Sequence, residues 1–192
     1  IKQCLVGSEM CIRDSSHCGF DLERIENPPP FLKNKFFTFG SFNSFDKINP
    51  NVISVWSNIL KKINGSKLIL KSSKIKHGLD RLKALFKENG VLDSIKFIGR
   101  EKEFKDHLNA YNEIDIALDT FPYNGVTTSF EAIWMGVPVL AMAGYNFNSR
   151  CGESINKNLG IDQMIARDDS DYVQKIVNLS LIHISEPTRH CL

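Results

Sequence analysis

Apolar residues along this chain form two alternating kinds of segment, short continuous runs and longer stretches with helical spacing. The runs are typical of buried strands and cover 36–41, 67–72, 94–99, 114–118 and 137–142. Between them, apolar side chains recur every three or four residues, for example at Val52, Trp56, Ile59, Leu60 and Ile63. Strands that alternate with helices of this length form a parallel sheet with helices on both faces. We therefore predict a doubly wound α/β domain.

Local signals place the ends of several predicted helices. Asn49 followed by Pro50 is a typical helix start, with a capping side chain and then proline in the first turn. A second helix is predicted from about Lys76 to Asn89, where Gly90 ends it. Further helices are predicted through 108–111 and over 129–135, 149–158 and 170–179.

The two ends differ in character from the middle of the chain. Residues 1–15 and 180–192 resemble translated sequencing-adaptor reads and do not continue the periodicity of the neighbouring segments. We predict that they are artefacts outside the fold; the alternative is a pair of ordinary disordered tails. Residues 16–35 contain three consecutive prolines and are predicted to form an extended leader. The folded lobe is predicted over 36–179.

Composition and charge narrow the classes of function. The 192 residues carry a net charge of +2, which does not favour nucleic acid or an anionic membrane as a partner. No apolar run approaches the roughly 18 residues of a membrane span, and no secretory signal is recognisable, so a cytoplasmic location is expected. The five cysteines lack metal-ligand spacing, so neither a disulfide framework nor a zinc site is expected.

The loop after the run 114–118 has the features of an anion site. Ligands of doubly wound folds bind at the carboxyl ends of the strands. Here Gly125 permits close approach to the backbone, and Thr127 and Thr128 lead directly into a predicted helix. The first amides of a helix favour an anion such as a diphosphate. Since neither a dinucleotide-binding G-x-G-x-x-G nor a P-loop occurs, a standard dehydrogenase or P-loop NTPase is disfavoured.

Three further residues each have a structural and a functional interpretation. Glu131 lies three residues after Thr128, so it either closes a capping box or accepts hydrogen bonds from ribose hydroxyls. Lys47, in the loop after the first strand, is either a solvated lysine or a cation that neutralises a leaving diphosphate. His107 lies on an amphipathic helix, where an isolated histidine is more often structural or exposed than catalytic.

Four segments together resemble one enzyme family. They are FTFGSFNSFDKINP, IDIALDTFPYNGVTTSFEAIWMGVPVLAMAG, FNSRCGESI and LGIDQMIARDDSDYV. Over about 28–179 they resemble the carboxyl-terminal catalytic lobe of the O-linked N-acetylglucosaminyltransferases, the O-GlcNAc transferase and SPINDLY-like proteins. The resemblance implies a Rossmann-like lobe of GT-B architecture. It also implies a UDP-sugar as substrate, inversion at the sugar, no metal and no separate cofactor.

The resemblance implies roles for residues in three regions. Lys47 matches a lysine that contacts the diphosphate and is essential for catalysis. Ser44 stands where some relatives have a glutamine near that site, and His107 matches a histidine beside the uracil ring. Phe104 departs from the pattern, because relatives carry a basic residue there, although Lys105 is adjacent.

The loop that begins at Gly125 carries the other matches. Thr127 and Thr128 match paired threonines at the diphosphate, and Glu131 matches the acidic residue on the ribose. Val126 departs from the pattern, because animal relatives have a histidine at that position.

One further pattern points to a metal only formally. The sequence from Asp169 to Asp171 fits the D-x-D with which some glycosyltransferases hold a metal. It lies at a helix start, where aspartate is favoured by capping and by the helix dipole, and capping is the preferred interpretation.

The resemblance extends to a whole protein larger than this sequence. It implies an amino-terminal catalytic lobe and tetratricopeptide repeats, so these 192 residues are expected to be a partial catalytic domain, inactive alone. The implied donor is UDP-N-acetylglucosamine or a related UDP-sugar, and the implied acceptor is a protein Ser/Thr hydroxyl. Two alternatives stay open: a GT-B transferase acting on a lipid or small molecule, and a non-catalytic nucleotide-binding or scaffold lobe.

Overall fold

The structure is a computed structural model that describes residues 28–72 and 78–185, with side chains described as far as Ser180. Within these residues, strands and helices alternate along the chain. The elements are α1 (Pro30–Asn34), β1 (Thr38–Ser41), α2 (Pro50–Lys62), β2 (Lys67–Lys71), α3 (Leu79–Glu88), β3 (Ile95–Ile98), α4 (Phe104–Asn109), β4 (Ile116–Leu118), α5 (Thr127–Trp134), β5 (Val139–Met142), α6 (Cys151–Asn158), β6 (Ile165–Ala166) and α7 (Asp169–Ser185).

The strands form one sheet in the order β3-β2-β1-β4-β5-β6, and every neighbouring pair is parallel. The prediction of a doubly wound α/β fold is therefore confirmed. The strand order reverses between β1 and β4, so the connections after these two strands leave the sheet in opposite directions. A crevice forms at such a reversal, and it is where doubly wound folds bind ligands.

Alternating side chains of the strands belong to two buried apolar layers, one on each face of the sheet. In β2, Leu68 and Leu70 belong to one cluster, which includes Trp56 of α2, whereas Ile69 belongs to the other, which includes Tyr111. This alternation follows from the two-residue period of a strand. Both faces are covered, which explains why the strands read as continuous apolar runs in the sequence.

The predicted start of α2 is confirmed in atomic detail. Asn49 is the N-cap, its side chain accepts a hydrogen bond from the amide of Val52, and Pro50 occupies the first turn. The end predicted for α3 is also confirmed, with Asn89 as C-cap and a left-handed Gly90 after it. The start predicted near Lys76 falls outside the described residues, and the described helix begins at Leu79.

The structure corrects both predicted boundaries of the lobe. Residues Pro30–Asn34 form α1 within the segment predicted to be extended, because proline in the first turn is compatible with a helix. Helix α7 runs to Ser185, past the predicted end at 179, and Ser180 is buried. The predictions for 1–15, for 16–27 and for 186–192 lie outside the described residues.

Two smaller features complete the fold. The short edge strand β6 was not predicted, because two residues are too few to give a periodic signal. In the described ranges, no helix has both the length and the apolar character that crossing a membrane requires.

Candidate functional site

Two loops meet at the reversal of strand order and form the candidate site, which we call the switch-point crevice. They are residues 42–49 after β1 and residues 119–126 after β4. Nδ2 of Asn43 donates a hydrogen bond to Oδ1 of Asp119 at 3.1 Å, so the two loops are joined at the base of the crevice. Contacts between residues more than 70 positions apart thus hold the crevice together.

Lys47 lies on the wall of the switch-point crevice. It ends a single 3-10 turn, Phe45–Lys47, and its Nζ donates to the carbonyl oxygen of Asn124 at 3.0 Å. Nζ also lies 4.3 Å from the ring centroid of Tyr123, a cation–π contact. Burial lowers the pKa of Lys47, while the nearby carboxylate of Asp119 acts in the opposite direction. The interpretation of Lys47 as a freely solvated loop lysine is therefore wrong.

The amino-terminal end of α5 opens into the same crevice. The backbone amide of Phe130 donates to the carbonyl oxygen of Val126, a hydrogen bond at the start of the α-helix. The backbone amides of the first turn come before these internal hydrogen bonds along the chain. Thr127 is exposed, and the half-buried Thr128 donates from Oγ1 to Oδ1 of Asn43 at 3.0 Å. Amides of a first turn and the helix dipole together favour an anion.

Gly125 is packed tightly in the loop that leads into α5. A Cβ atom at this position would lie 2.5 Å from Oγ1 of Thr128 and 2.7 Å from Oδ1 of Asn43. The amide of Gly125 donates to Oδ1 of Asp119 at 2.7 Å. Glycine is thus required here by the packing of the loop itself, and a direct contact of Gly125 with a ligand stays a prediction.

Glu131, one turn further along α5, forms a polar cluster with two residues of the preceding helical segment. Its Oε2 lies 2.9 Å from Nε2 of His107 and 2.9 Å from the hydroxyl of Tyr111. The same hydroxyl lies 3.1 Å from the carbonyl oxygen of Thr128. Burial and the carboxylate of Glu131 raise the pKa of Tyr111 well above its ordinary value. The capping-box interpretation of Glu131 is wrong, because its described partners are side chains.

His107 and Ser44 occupy more open positions. The ring of His107 lies 6.0 Å from that of Phe104, with the planes nearly parallel, and Phe104 is exposed. Ser44 is exposed, and its hydroxyl donates to Oδ2 of Asp46 at 3.3 Å. The structure therefore brings His107 together with Glu131 and leaves Ser44 exposed in the loop after β1.

Asp119 was missed by the sequence analysis. It is buried at the end of β4, and burial raises its pKa to about 7 against the opposing effect of hydrogen bonds from Gly125, Thr120 and Asn43. A signal was present, since Asp119 directly follows a strand at the edge where ligands bind. A buried carboxylate with a perturbed pKa in a crevice is typical of functional sites.

A second missed residue is Lys71, at the end of β2. Its side chain is buried, yet Nζ lies 3.9 Å from Oε1 of Glu101 and 5.4 Å from the ring centroid of Phe42. Burial lowers the pKa of Lys71. No local pattern predicted this burial, because a lysine at a strand end is ordinarily exposed.

The D-x-D pattern lies at the start of α7, where Asp171 forms hydrogen bonds with the residues just before the helix. The amide of Asp171 donates to Oδ1 of Asp168 at 2.8 Å, and Oδ2 of Asp171 accepts from the amide and Nε of Arg167. These are hydrogen bonds of a helix start, as the capping interpretation predicts. Across residues 28–72 and 78–185, no group of three or more His, Cys, Asp or Glu side chains could hold a metal ion.

Comparisons with known proteins give a consistent result. A family model, Glycosyl transferase family 41, matches residues 31–183. The chain is 38% identical over 159 residues to a Solanum lycopersicum protein named probable UDP-N-acetylglucosamine--peptide N-acetylglucosaminyltransferase SPINDLY. The Arabidopsis thaliana protein of that name is also 38% identical over 159 residues. Each alignment covers 80% of this chain and 17% of the relative, so the chain spans about a sixth of these proteins.

Solved structures give the same picture. A mutant O-GlcNAc transferase from Thermobaculum terrenum is 31% identical with a TM-score of 0.75, and the match covers 83% of this chain and 30% of that one. S. aureus TarM matches with a TM-score of 0.51 at 14% identity, over 88% of this chain and 35% of that one, and shows similarity of fold alone. The Rossmann-like lobe of GT-B type that the resemblance implies is confirmed.

Proposed function

Because this chain belongs to glycosyl transferase family 41, we propose that it is the UDP-sugar-binding lobe of an inverting glycosyltransferase. The donor is UDP-N-acetylglucosamine, and the acceptor is a Ser/Thr hydroxyl of a protein. The names of the plant relatives and the O-GlcNAc transferase structure support this choice of donor and acceptor class. The UDP-sugar is a substrate, and the proposal includes no separate cofactor and no metal.

The observation that carries the proposal is the convergence of a lysine and a helix amino terminus in one crevice. Lys47 reaches the carbonyl of Asn124, which lies three residues before the start of α5. A diphosphate in the switch-point crevice would therefore meet an ammonium group, the hydroxyls of Thr127 and Thr128, and the first amides of α5. Gly125 keeps the loop compact between these groups.

The nucleoside is proposed to lie against the cluster of Glu131 and His107. Glu131 presents a carboxylate whose Oε2 is already held by Tyr111 and His107, so its orientation is fixed before a ligand binds. A carboxylate held in this way can accept hydrogen bonds from ribose hydroxyls. The ring of His107, whose side chain is 26% exposed, offers a flat surface for the uracil. Ser44, an exposed residue of the loop after β1, is proposed to lie near the diphosphate.

The chemistry follows from these positions. The acceptor oxygen attacks the anomeric carbon of the sugar, the bond from that carbon to the diphosphate oxygen breaks, and UDP leaves with the electron pair. The acceptor proton passes to a base that the partner lobe supplies. Lys47 and the amides of α5 stabilise the negative charge that develops on the leaving diphosphate, which lowers the barrier.

The complete protein is proposed to contain an amino-terminal catalytic lobe and tetratricopeptide repeats that bind the acceptor protein, and to act in the cytoplasm. The sugar-transfer test therefore uses this lobe joined to that partner lobe. We expect Lys47→Ala to abolish transfer of N-acetylglucosamine from the UDP-sugar to peptide, while Lys61→Ala, at an exposed position of α2, leaves it unchanged. Unchanged transfer in Lys47→Ala would refute the proposed role of Lys47.

A further inference from the structure

The side chain of Asp119 is buried beneath the switch-point crevice, and one of its carboxylate oxygens accepts three hydrogen bonds. Oδ1 accepts from the amide of Gly125 at 2.7 Å, from the amide of Thr120 at 2.8 Å and from Nδ2 of Asn43 at 3.1 Å. Thr120 lies near the start of the loop after β4, and Gly125 lies near its end. A single oxygen therefore fixes both halves of this loop and joins them to the loop after β1.

Asn43 connects Asp119 to α5 through its two side-chain hydrogen bonds. Its Nδ2 donates to Asp119, and its Oδ1 accepts from the hydroxyl of Thr128 at 3.0 Å. Because the side-chain amide of asparagine is planar, fixing one end orients the other. Asp119 thus acts through Asn43 on Thr128, a residue of the first turn of the helix that faces the proposed diphosphate.

The surroundings of Asp119 exclude a direct contact with a ligand. Its side chain is 1% exposed, and a Cβ placed on Gly152 of α6 would lie 3.0 Å from Oδ2. Oδ2 has no hydrogen-bond partner among the described residues. On the other side, the hydroxyl of Tyr172 from α7 donates to the carbonyl oxygen of Asp119 at 3.1 Å. Among the described residues, the hydrogen bonds of this side chain toward the crevice run through Oδ1.

We propose that Asp119 is a positioning residue for diphosphate recognition, which acts by holding Asn43 and the Gly125 amide and thereby sets Thr128 and the first turn of α5. This inference rests on the proposed function, because it assumes that a UDP-sugar binds in the crevice. It predicts that Asp119 matters for the phosphate part of the ligand and not for the nucleoside. The acceptor oxygen is the essential feature, and the negative charge is secondary.

The test measures UDP binding by calorimetry and uridine binding by NMR titration, for the wild-type chain and for variants whose folding is checked by thermal melting. Asp119→Ala leaves three donors without an acceptor and is expected to weaken UDP binding by about tenfold or more, with uridine binding unchanged. Asp119→Asn keeps an oxygen that can accept the same bonds, so it should restore UDP binding to within about threefold of wild type.

Two further variants keep the test decisive if Asp119→Ala does not fold. Asn43→Ala removes only the link to Thr128 and should weaken UDP binding by about threefold to tenfold, again without affecting uridine. Glu131→Gln is the matched control, because a change at the proposed ribose contact should weaken UDP and uridine together.

The outcomes separate this inference from the proposed function. A selective loss of UDP binding in Asn43→Ala and Asp119→Ala, with rescue in Asp119→Asn, supports the positioning role. Equal weakening of UDP and uridine, or UDP binding unchanged in every folded variant, overturns it and leaves the proposed function intact. If the folded wild-type chain binds no UDP, the donor site and the positioning role are both refuted.

Discussion

The hydroxyl of Tyr111 lies 2.9 Å from Oε2 of Glu131, and this contact joins the helical segment before β4 to the helix that follows the candidate diphosphate loop. His107 shares the same carboxylate oxygen at 2.9 Å. Both partners that orient Glu131 belong to the helical segment before β4, and they precede it in the sequence by 20 and 24 residues. These side-chain partners rule out a capping box for Glu131, and its contact with ribose hydroxyls stays a prediction.

The first prediction concerns the loss of stability when the Tyr111 hydroxyl is removed. Tyr111→Phe keeps the buried ring but leaves the carboxylate of Glu131 with one donor fewer. We expect the free energy of unfolding to fall by about 1–2 kcal/mol, as measured by urea denaturation. Tyr145→Phe is the matched control, since Tyr145 is 83% exposed and its change should stay within about 0.5 kcal/mol. Equal effects at both tyrosines would contradict the role assigned to the Tyr111 contact.

The second prediction concerns Asp119 and pH. Burial raises the pKa of Asp119 to about 7, whereas the unfolded chain has the ordinary value near 3.8. Between these two values the folded state retains a proton that the unfolded state has released. The contribution of Asp119 to stability is therefore fully present below about pH 4 and is lost as pH rises to 7.

Asp119→Asn removes this titration, so the variant should gain stability relative to wild type as pH rises. The gain between pH 4 and pH 7 is at most about 4 kcal/mol. Urea denaturation of both proteins at several pH values measures it, and taking the difference cancels the other titrating groups. Lys47, Cys151 and Tyr172 are the titratable side chains that interact with Asp119 from neighbouring elements. A difference that is constant with pH would contradict the prediction.

The third prediction separates two functions of Asn49. Its Oδ1 caps α2 by accepting from the amide of Val52 at 3.0 Å, and its Nδ2 donates to the carbonyl of Phe121 at 2.6 Å. Asn49→Ala removes both bonds and should destabilise the fold by about 1–2 kcal/mol.

Asn49→Ser keeps an oxygen that can cap α2 and lacks the side-chain amide that bonds to Phe121, so it should recover part of that loss in urea denaturation. Asn51→Ala, at a neighbouring exposed position, is the control and should have an effect within about 0.5 kcal/mol. If Asn49→Ser and Asn49→Ala were equally destabilised, the cap would make no measurable contribution.

The sequence predicted those parts of the fold that local signals determine. Asn49 and Pro50 mark a helix start because capping depends on residues three positions apart. The continuous apolar runs predicted a parallel sheet because both of its faces are buried. Local signals failed at the edges, where β6 has two residues and where α7 continues past 179.

The network of the site could be predicted only in part. Lys47, Thr128 and Glu131 were candidates because they lie in loops and helix starts at one edge of the sheet, and the family resemblance favoured their functional interpretation. The contacts of Asp119 with Asn43, across 76 residues, depend on the meeting of two loops that only the folded sheet brings together. Asn43 also has no distinctive local pattern, so its position between Asp119 and Thr128 became visible only in the structure.

The central claim is that this lobe binds the diphosphate of a UDP-sugar through Lys47 and the start of α5. Calorimetric titration of UDP into the wild-type chain and into Lys47→Ala tests it most directly, with AMP as the control nucleotide. We predict saturable UDP binding, at least about tenfold weaker in Lys47→Ala, and no binding of AMP. UDP binding of unchanged strength in folded Lys47→Ala, or its absence in the folded wild-type chain, would contradict the claim.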